Sequence, residues 1–98
     1  ATNEDYLDII TSDNLAAYVG EKLSVYPNPT TNLVTIEAPS EIKRISLLSN
    51  QGKLLVEQKL PVGNSSSSVD LSRFSSGFYT LVIEFSQGGI LYRKIMRL

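Results

Sequence analysis

Residues that could carry out catalysis are scarce in this sequence. It contains no histidine and no cysteine, so the commonest general base and the thiolate nucleophile are both missing. Acid–base catalysis by carboxylates needs a close pair with shifted pKa values. Past residue 20 the carboxylates are dispersed over exposed strand positions and strand ends, where they ordinarily serve solubility: Glu21, Glu37, Glu41, Glu57, Asp70 and Glu84. We therefore predict that the chain is not an enzyme.

Serines and the other polar residues do not indicate a catalytic or metal site either. Without histidine, serine hydrolysis would need a lysine as the base, and the serines fall in predicted turns. Asp70 and Asn64 offer oxygen ligands of the kind that Ca²⁺ prefers, but the dense acidic spacing of a calcium loop is missing. Gly88 and Gly89 lack the strand-to-helix context of a phosphate-binding loop. The sequence predicts no metal and no cofactor.

The charges are unevenly distributed along the chain. Residues 1–20 hold Glu4, Asp5, Asp8 and Asp13 and no basic residue, whereas residues 21–98 hold nine basic and six acidic residues, a net charge of +3. This excess is small and dispersed, so no nucleic-acid partner is expected. The longest apolar runs, such as residues 79–83, are too short to span a bilayer, so no membrane insertion is expected.

Residues 1–22 differ in pattern from the rest of the chain. Two apolar clusters, at residues 6–10 and 15–19, are too short to define a helix and fit either a short helix or an edge strand. The chain also starts at Ala1 without a methionine. We interpret this region as a linker from an upstream part of a longer protein and residues 23–98 as one domain.

From residue 23 onward the pattern is that of short β-strands separated by turn residues. Residues 78–85 alternate most clearly, with Tyr79, Leu81, Ile83 and Phe85 on the expected core face. Gly52 suits the tight turn of a β-hairpin. The predicted strands are residues 23–26, 33–37, 42–48, 53–60, 69–71, 78–85 and 90–98, with a loop over residues 61–68 and a bulge or a two-sided strand near Ile95. About seven strands without a helix predict an all-β, immunoglobulin-like antiparallel sandwich.

Four stretches of the β region follow one another in a distinctive order. They are Val25-Tyr26-Pro27-Asn28-Pro29-Thr30-Thr31-Asn32 before a strand, the hairpin at residues 45–55 around Gly52-Lys53, the corner Val69-Asp70-Leu71 leading to Gly77-Phe78-Tyr79, and the closing Tyr92-Arg93-Lys94-Ile95-Met96-Arg97-Leu98. Together they resemble the type A C-terminal sorting domain of the type IX secretion system over residues 23–98. Each stretch alone is a weak signal, and their shared order carries the resemblance.

The resemblance implies a secretion signal at the end of a cargo protein from a Bacteroidetes-type bacterium. Such cargo passes through the periplasm, and the outer-membrane translocon recognises the sorting domain. A sortase-like cysteine peptidase then removes the domain, with a cut expected within residues 1–23 or upstream, and joins the cargo to an anionic lipopolysaccharide at the cell surface. Secreted or surface-attached cargo is the expected product.

The signature residues also have plain structural roles, which we favour: Tyr26, Pro27, Asn28, Pro29, Gly52, Asp70, Gly77 and Tyr79. Tyr79 is expected to bury its ring while its hydroxyl donates to a carbonyl. Lys94, Arg93, Arg97 and Leu98 are the candidate residues for translocon recognition, since a last strand with an open edge can accept a partner strand. An equally good interpretation is that the basic residues of this edge prevent aggregation. The same open edges make an edge-strand dimer an alternative to a monomer.

A second interpretation of the same strand pattern is an immunoglobulin-like or fibronectin-like module for adhesion or glycan binding. Strand pattern and composition fit it equally well. The observation that separates the two is whether the domain remains on the mature protein, because a sorting signal is removed and a binding module stays.

Overall fold

The computed structural model describes residues 22–98, and within them it contains seven β-strands. The predicted linker with its edge strand or short helix falls on residues 1–22, and residues 1–21 lie outside the described part. The strands are β1 (Ser24–Tyr26), β2 (Leu33–Glu37), β3 (Ile42–Leu48), β4 (Leu54–Lys59), β5 (Ser66–Asp70), β6 (Gly77–Phe85) and β7 (Ile90–Arg97).

Two antiparallel sheets form the domain, as predicted. One sheet has three strands in the order β1-β2-β5, and the other has four in the order β4-β3-β6-β7. The predicted hairpin is β3–β4, which pairs from Arg44 opposite Lys59 to Leu48 opposite Leu54. Gly52 in its turn has a φ of 87°, a conformation that glycine adopts without steric cost.

The core lies between the sheets and consists mainly of aliphatic side chains. The predicted core face of β6 is confirmed, because Tyr79, Leu81, Ile83 and Phe85 are all buried. They pack with the other buried apolar residues, namely Val34, Ile36, Ile42, Ile45, Leu47, Val69, Leu71 and Ile95. Burial of each large aliphatic side chain contributes about 1.5–3 kcal/mol, so this layer is the main source of stability.

One part of the predicted strand pattern was wrong. Residues 66–68, assigned to a serine-rich loop, belong to β5, where Ser66 pairs with Glu37 and Ser68 with Thr35. A ladder is held by backbone hydrogen bonds, so the neighbouring β2 can extend a strand through residues of low β-propensity. Near Ile95, where a bulge or a two-sided strand was expected, the structure has a two-sided strand, since β6 and β7 pair without a shift from Gly77–Arg97 to Glu84–Ile90.

Apolar residues occupy both faces of β7. Ile95 is buried and Leu91 packs against the core, whereas Ile90 and Tyr92 are 45% and 62% exposed. Successive side chains point to opposite faces of a sheet, so the apolar residues with even numbers lie on the outer face of the four-stranded sheet.

The loops divide between two opposite ends of the sandwich. At one end, which we call the C-terminal end, β2 begins opposite the end of β5, and β6 begins opposite the end of β7. The turns at residues 27–32, 49–53 and 71–76 lie at this end together with Leu98. At the other end, the entry end, β1 begins with Ser24 opposite Glu37.

Candidate recognition surface at the C-terminal strand

The turn that follows β1 is bonded to the last strand of the opposite sheet. Pro27 and Pro29 both follow cis peptide bonds, and Asn28 between them lies beside β7. The Asn28 side chain donates from Nδ2 to the Lys94 carbonyl over 3.1 Å and accepts on Oδ1 from the Met96 amide over 2.9 Å. An amide side chain can make both bonds because it has a donor and an acceptor, as a peptide group does.

Thr30 continues this pairing toward the C-terminus. Its amide donates to the Met96 carbonyl and its carbonyl accepts from the Leu98 amide, each over 2.9 Å, which forms a parallel bridge between Thr30 and Arg97. The Thr30 hydroxyl is buried and donates to the Leu33 carbonyl over 2.6 Å. Residues 28–30 therefore connect the two sheets.

These bonds change the prediction of an open edge on the last strand. From Lys94 to Leu98 the outer edge of β7 is bonded to Asn28 and Thr30, so a partner strand cannot pair there without displacing them. The bonds join residues far apart in the sequence, and strand periodicity contains no signal for them.

Arg97 connects β7 to the corner that follows β5. Its guanidinium donates to the Leu71 carbonyl over 3.0 Å and to the Ser72 carbonyl over 3.3 Å. The preceding Asp70 caps the same corner, since its carboxylate accepts from the Ser72 amide over 2.8 Å. That bond is the main cause of the lowered pKa of Asp70, followed by a bond with the Ser72 side chain, and the nearby Arg73 and Arg97 add to it. The Asp70 corner and the closing strand thus form one structure.

Tyr79 fulfils its predicted role at the start of β6. Its ring is buried, with 7% of the residue exposed, and its hydroxyl donates to the Ser75 carbonyl over 2.5 Å. Gly77, at a φ of 144°, begins the strand opposite Arg97. The ring of Phe74 lies 6.1 Å from that of Tyr79. The turn before β6 is thereby held against the core.

The hairpin turn and the turn before β6 border a shared cleft at the C-terminal end. Ser49 accepts from the Gly52 amide over 2.9 Å and donates to the Lys53 carbonyl over 2.8 Å, which closes the hairpin. The cleft encloses about 270 Å³ and is lined by residues 49–51 and 75–79. All four stretches singled out from the sequence therefore meet at the C-terminal end.

Comparison with known proteins agrees with this arrangement. The family model of the secretion system C-terminal sorting domain matches residues 24–97, from the first residue of β1 to the last residue of β7. The chain belongs to this family. The sorting domain is therefore a sorting signal for type IX secretion, as its resemblance predicted, and such a signal directs export to the cell surface or the medium. The family match favours this function over the adhesion or glycan-binding alternative.

Solved structures place the sorting domain among immunoglobulin-like sandwiches. It matches a DUF3244 family protein from Bacteroides vulgatus, described as having an immunoglobulin-like β-sandwich fold, with a TM-score of 0.64 and 19% identity over 78% of this chain and 84% of that chain. CopC from Methylosinus trichosporium matches with a TM-score of 0.47 and 21% identity over 76% of this chain and 82% of that chain. No curated protein sequence matches. The predicted fold class is confirmed by the first of these structures.

The candidate recognition residues of the sorting domain lie in different surroundings. Arg97 is half-buried and bonded to the corner, whereas the Leu98 side chain is 56% exposed. Lys94 is exposed, and its ammonium lies 4.8 Å from the centre of the Phe78 ring. Arg93 donates to the Tyr92 carbonyl over 2.9 Å. Lys94 and the Leu98 side chain are thus the members of this group that face outward.

Asn28 and Tyr26 in the first signature turn also acquire specific roles. The sequence indicated only a general structural role for Asn28. Thr30 was not singled out, because a buried threonine in a turn leaves no periodic signal. The Tyr26 hydroxyl donates to the Glu37 carboxylate, and this bond is the main cause of the raised pKa of Tyr26. The bonds of Asn28 and Tyr26 thus fix the position of the first signature turn on the sorting domain.

The carboxylates of the described residues form structural contacts. Glu84 accepts from Arg44 over 2.6 and 3.1 Å, and Glu57 lies 3.7 Å from the same guanidinium. Hydrogen bonding by Arg44 is the main cause of the lowered pKa of Glu84, the opposite of what a general acid needs. Within residues 22–98 no three acidic side chains are grouped to hold a metal, and no helix is long and apolar enough to cross a membrane. Sorting signals are not an enzymatic class.

Proposed function

We propose that this chain is a removable export address on a cargo protein. The cargo crosses the periplasm, the outer-membrane translocon binds the folded domain, and a sortase-like cysteine peptidase cuts before β1. The cut frees the cargo for release or for attachment to a lipopolysaccharide. The match of the sorting-domain family to residues 24–97 is the observation that carries this proposal.

The geometry of the domain supports recognition at the C-terminal end. Cargo attached upstream of Ser24 joins the domain at the entry end, where Ser24 lies opposite Glu37. The four signature stretches and Leu98 lie at the opposite end, away from the point where the cargo is attached. We propose that the translocon contacts Lys94, Arg93 and Leu98 there, while Arg97 positions the strand through Leu71 and Ser72.

The test is to fuse residues 1–98 to a fluorescent protein exported to the periplasm of a bacterium that has this secretion system. Its location and mass are followed over time. We expect reporter at the surface or in the medium, shortened by the mass of the domain. Intact reporter confined to the periplasm would refute the proposal, and exported reporter that keeps the domain would indicate a binding module instead.

Two variants separate recognition from folding in this assay. Leu98→Ser removes an exposed apolar side chain but keeps the backbone bond from Leu98 to Thr30, so it should leave the melting temperature unchanged and reduce export. Deletion of residues 97–98 removes that bond and the Arg97 contacts, so it should lower both. Normal export of both variants would show that residues 97–98 are not part of the recognised surface.

A dimer through edge strands can use only some of the strand edges. Asn28 and Thr30 bond to the outer edge of β7 from Lys94 to Leu98, so a second copy would have to pair with β1, β4, β5 or the part of β7 before Lys94. We propose β5 as the edge used, because its serines carry no charge that would repel a second strand. Sedimentation at increasing concentration tests this, and Ser68→Pro should abolish any dimer by blocking the edge.

A further inference from the structure

The outer face of the four-stranded sheet is divided into an apolar half and a charged half. Directly opposed residues of neighbouring strands share a face, so the register identifies which side chains lie together. Toward the C-terminal end, Phe78 pairs with Met96, Leu48 with both Leu54 and Thr80, and Val82 with Tyr92. We call Leu48, Leu54, Phe78, Val82, Tyr92 and Met96 the apolar patch.

Much of the apolar patch is open to solvent. Phe78, Leu54 and Tyr92 are 45%, 53% and 62% exposed. Contiguous exposed apolar surface is uncommon on monomeric proteins and marks interaction sites, and aromatic residues often supply most of the binding energy at such sites. The patch spans all four strands, so it offers a broad, gently twisted surface.

Among residues 22–98, Lys94 is the cation seated within the apolar patch. It lies opposite Thr80, and its ammonium rests 4.8 Å from the centre of the Phe78 ring. Among the described residues no carboxylate lies within 4.0 Å of it. The carboxylates on the same face, Glu57 and Glu84, belong to the charged half and are both engaged by Arg44.

A partner that covers the apolar patch must therefore supply an anion for Lys94. Burying an ammonium without a counter-charge is strongly unfavourable, and covering Phe78 without covering Lys94 is precluded by their contact. Among the described residues, a second copy of the same face would offer Lys94 only Glu57 and Glu84, and Arg44 already engages both carboxylates. A membrane surface would call for a cluster of basic residues, and the patch has one.

We propose that the apolar patch docks onto an apolar protein surface of the translocon that carries a carboxylate opposite Lys94. The inference rests on the proposed export function and adds a second contact surface beside the C-terminal end. Tyr92 and Phe78 supply the apolar contact, and Lys94 determines the orientation in which the two surfaces meet.

The first test measures export of charge and surface variants in the reporter fusion. Lys94→Glu places like charges opposite each other and should reduce the export rate at least about tenfold, while Lys94→Arg should stay within about twofold. Tyr92→Ser should reduce the rate about threefold or more. Val62→Ser is the matched control, since Val62 is 92% exposed on a loop at the entry end and should export normally. Melting temperatures of the purified 98-residue variants should all agree with that of the original chain.

The second test identifies the partner residue. A photo-crosslinking amino acid at position 92 should join the chain to a translocon protein, and the same group at position 62 should not. In the crosslinked translocon protein, replacing the acidic residue nearest the crosslink by lysine should restore export of the Lys94→Glu variant. The proposed docking surface would be wrong if Lys94→Glu and Tyr92→Ser were both exported at the original rate. It would also be wrong if position 92 crosslinked only to lipid, or if no such replacement restored export of Lys94→Glu. Lack of export by the unaltered fusion would instead overturn the export function.

Discussion

The Asn28 side chain bonds to the backbone of β7 as a neighbouring strand would. Removing this side chain should therefore weaken the connection between the two sheets. Asn28→Ala removes the bond to the Lys94 carbonyl and the bond from the Met96 amide while leaving both prolines in place. Nothing in the core is disturbed, because Asn28 is exposed. Any loss of stability can therefore be assigned to these two bonds.

The size of the effect follows from the number of bonds and their exposure. A hydrogen bond contributes about 0.5–1.5 kcal/mol net, so two contribute about 1–3 kcal/mol. Water can rehydrate the freed groups at this exposed edge, which favours the lower part of that range, about 1–2 kcal/mol. For a domain of this size, each kcal/mol corresponds to about 4–8 °C in melting temperature, so we expect a decrease on the order of 5–15 °C.

Thermal and urea unfolding of the 98-residue chain measure this change, and amide hydrogen exchange locates it. In Asn28→Ala the Met96 amide should exchange faster, while amides within the β3–β6 ladder should follow only the global decrease. Asn28→Asp keeps the acceptor for Met96 and loses the donor to Lys94, so its effect should be intermediate. Asn50→Ala, which removes an exposed turn asparagine without such bonds, is the matched control and should cost less than about 0.5 kcal/mol.

The reasoning would be refuted by a melting temperature for Asn28→Ala within about 1 °C of the original chain. It would be refuted equally by Asn50→Ala destabilising the domain as much as Asn28→Ala. In either case the bonds between residue 28 and β7 would not contribute measurably to closing the sandwich.

Three further predictions concern other parts of the fold. Tyr79→Phe keeps the buried ring but leaves the Ser75 carbonyl without its donor, and urea unfolding should show a loss of about 1–2 kcal/mol; no loss would contradict the role of the hydroxyl. The pKa of Glu84 is lowered by Arg44 below its usual value of 4.5, so its stabilising contribution is present above that pH and is lost on acidification below it. Urea titrations from pH 7 to 2 should therefore show a shallower acid decline in Glu84→Gln, and an unchanged slope would count against the ion pair. Gly52→Ala meets open space but forces a φ of 87°, so it should cost about 1–2 kcal/mol, and an increase in stability would contradict the strain.

Local features of this chain could be predicted because their physical causes are local. The alternation of residues 78–85 identified β6 and its core face, since side chains point to opposite sides of a strand at every second residue. Gly52 indicated the hairpin because few other residues tolerate its backbone conformation. The Tyr79 hydroxyl was expected to donate to a carbonyl, and the acceptor is Ser75, only four residues away.

The sorting function was also accessible from the sequence, through the order of four short stretches. Their family match spans residues 24–97. The sequence could not show that these stretches meet at one end of the sandwich, opposite the end where β1 begins. That proximity depends on the pairing of strands distant in sequence, such as Gly77 with Arg97 and Leu33 with Asp70.

Tertiary structure alone decided which groups of the last strand face a partner. Asn28 bonds to the carbonyl of Lys94, which lies 66 positions further along the chain, and such a contact has no counterpart in local periodicity. The register with β6 likewise turned Ile95 into the core and Tyr92 outward, because a shift of one residue reverses every side chain in a strand. Strand identity is thus determined by neighbouring residues, whereas the surface offered for recognition is determined by long-range register and by the bonds that close the two sheets.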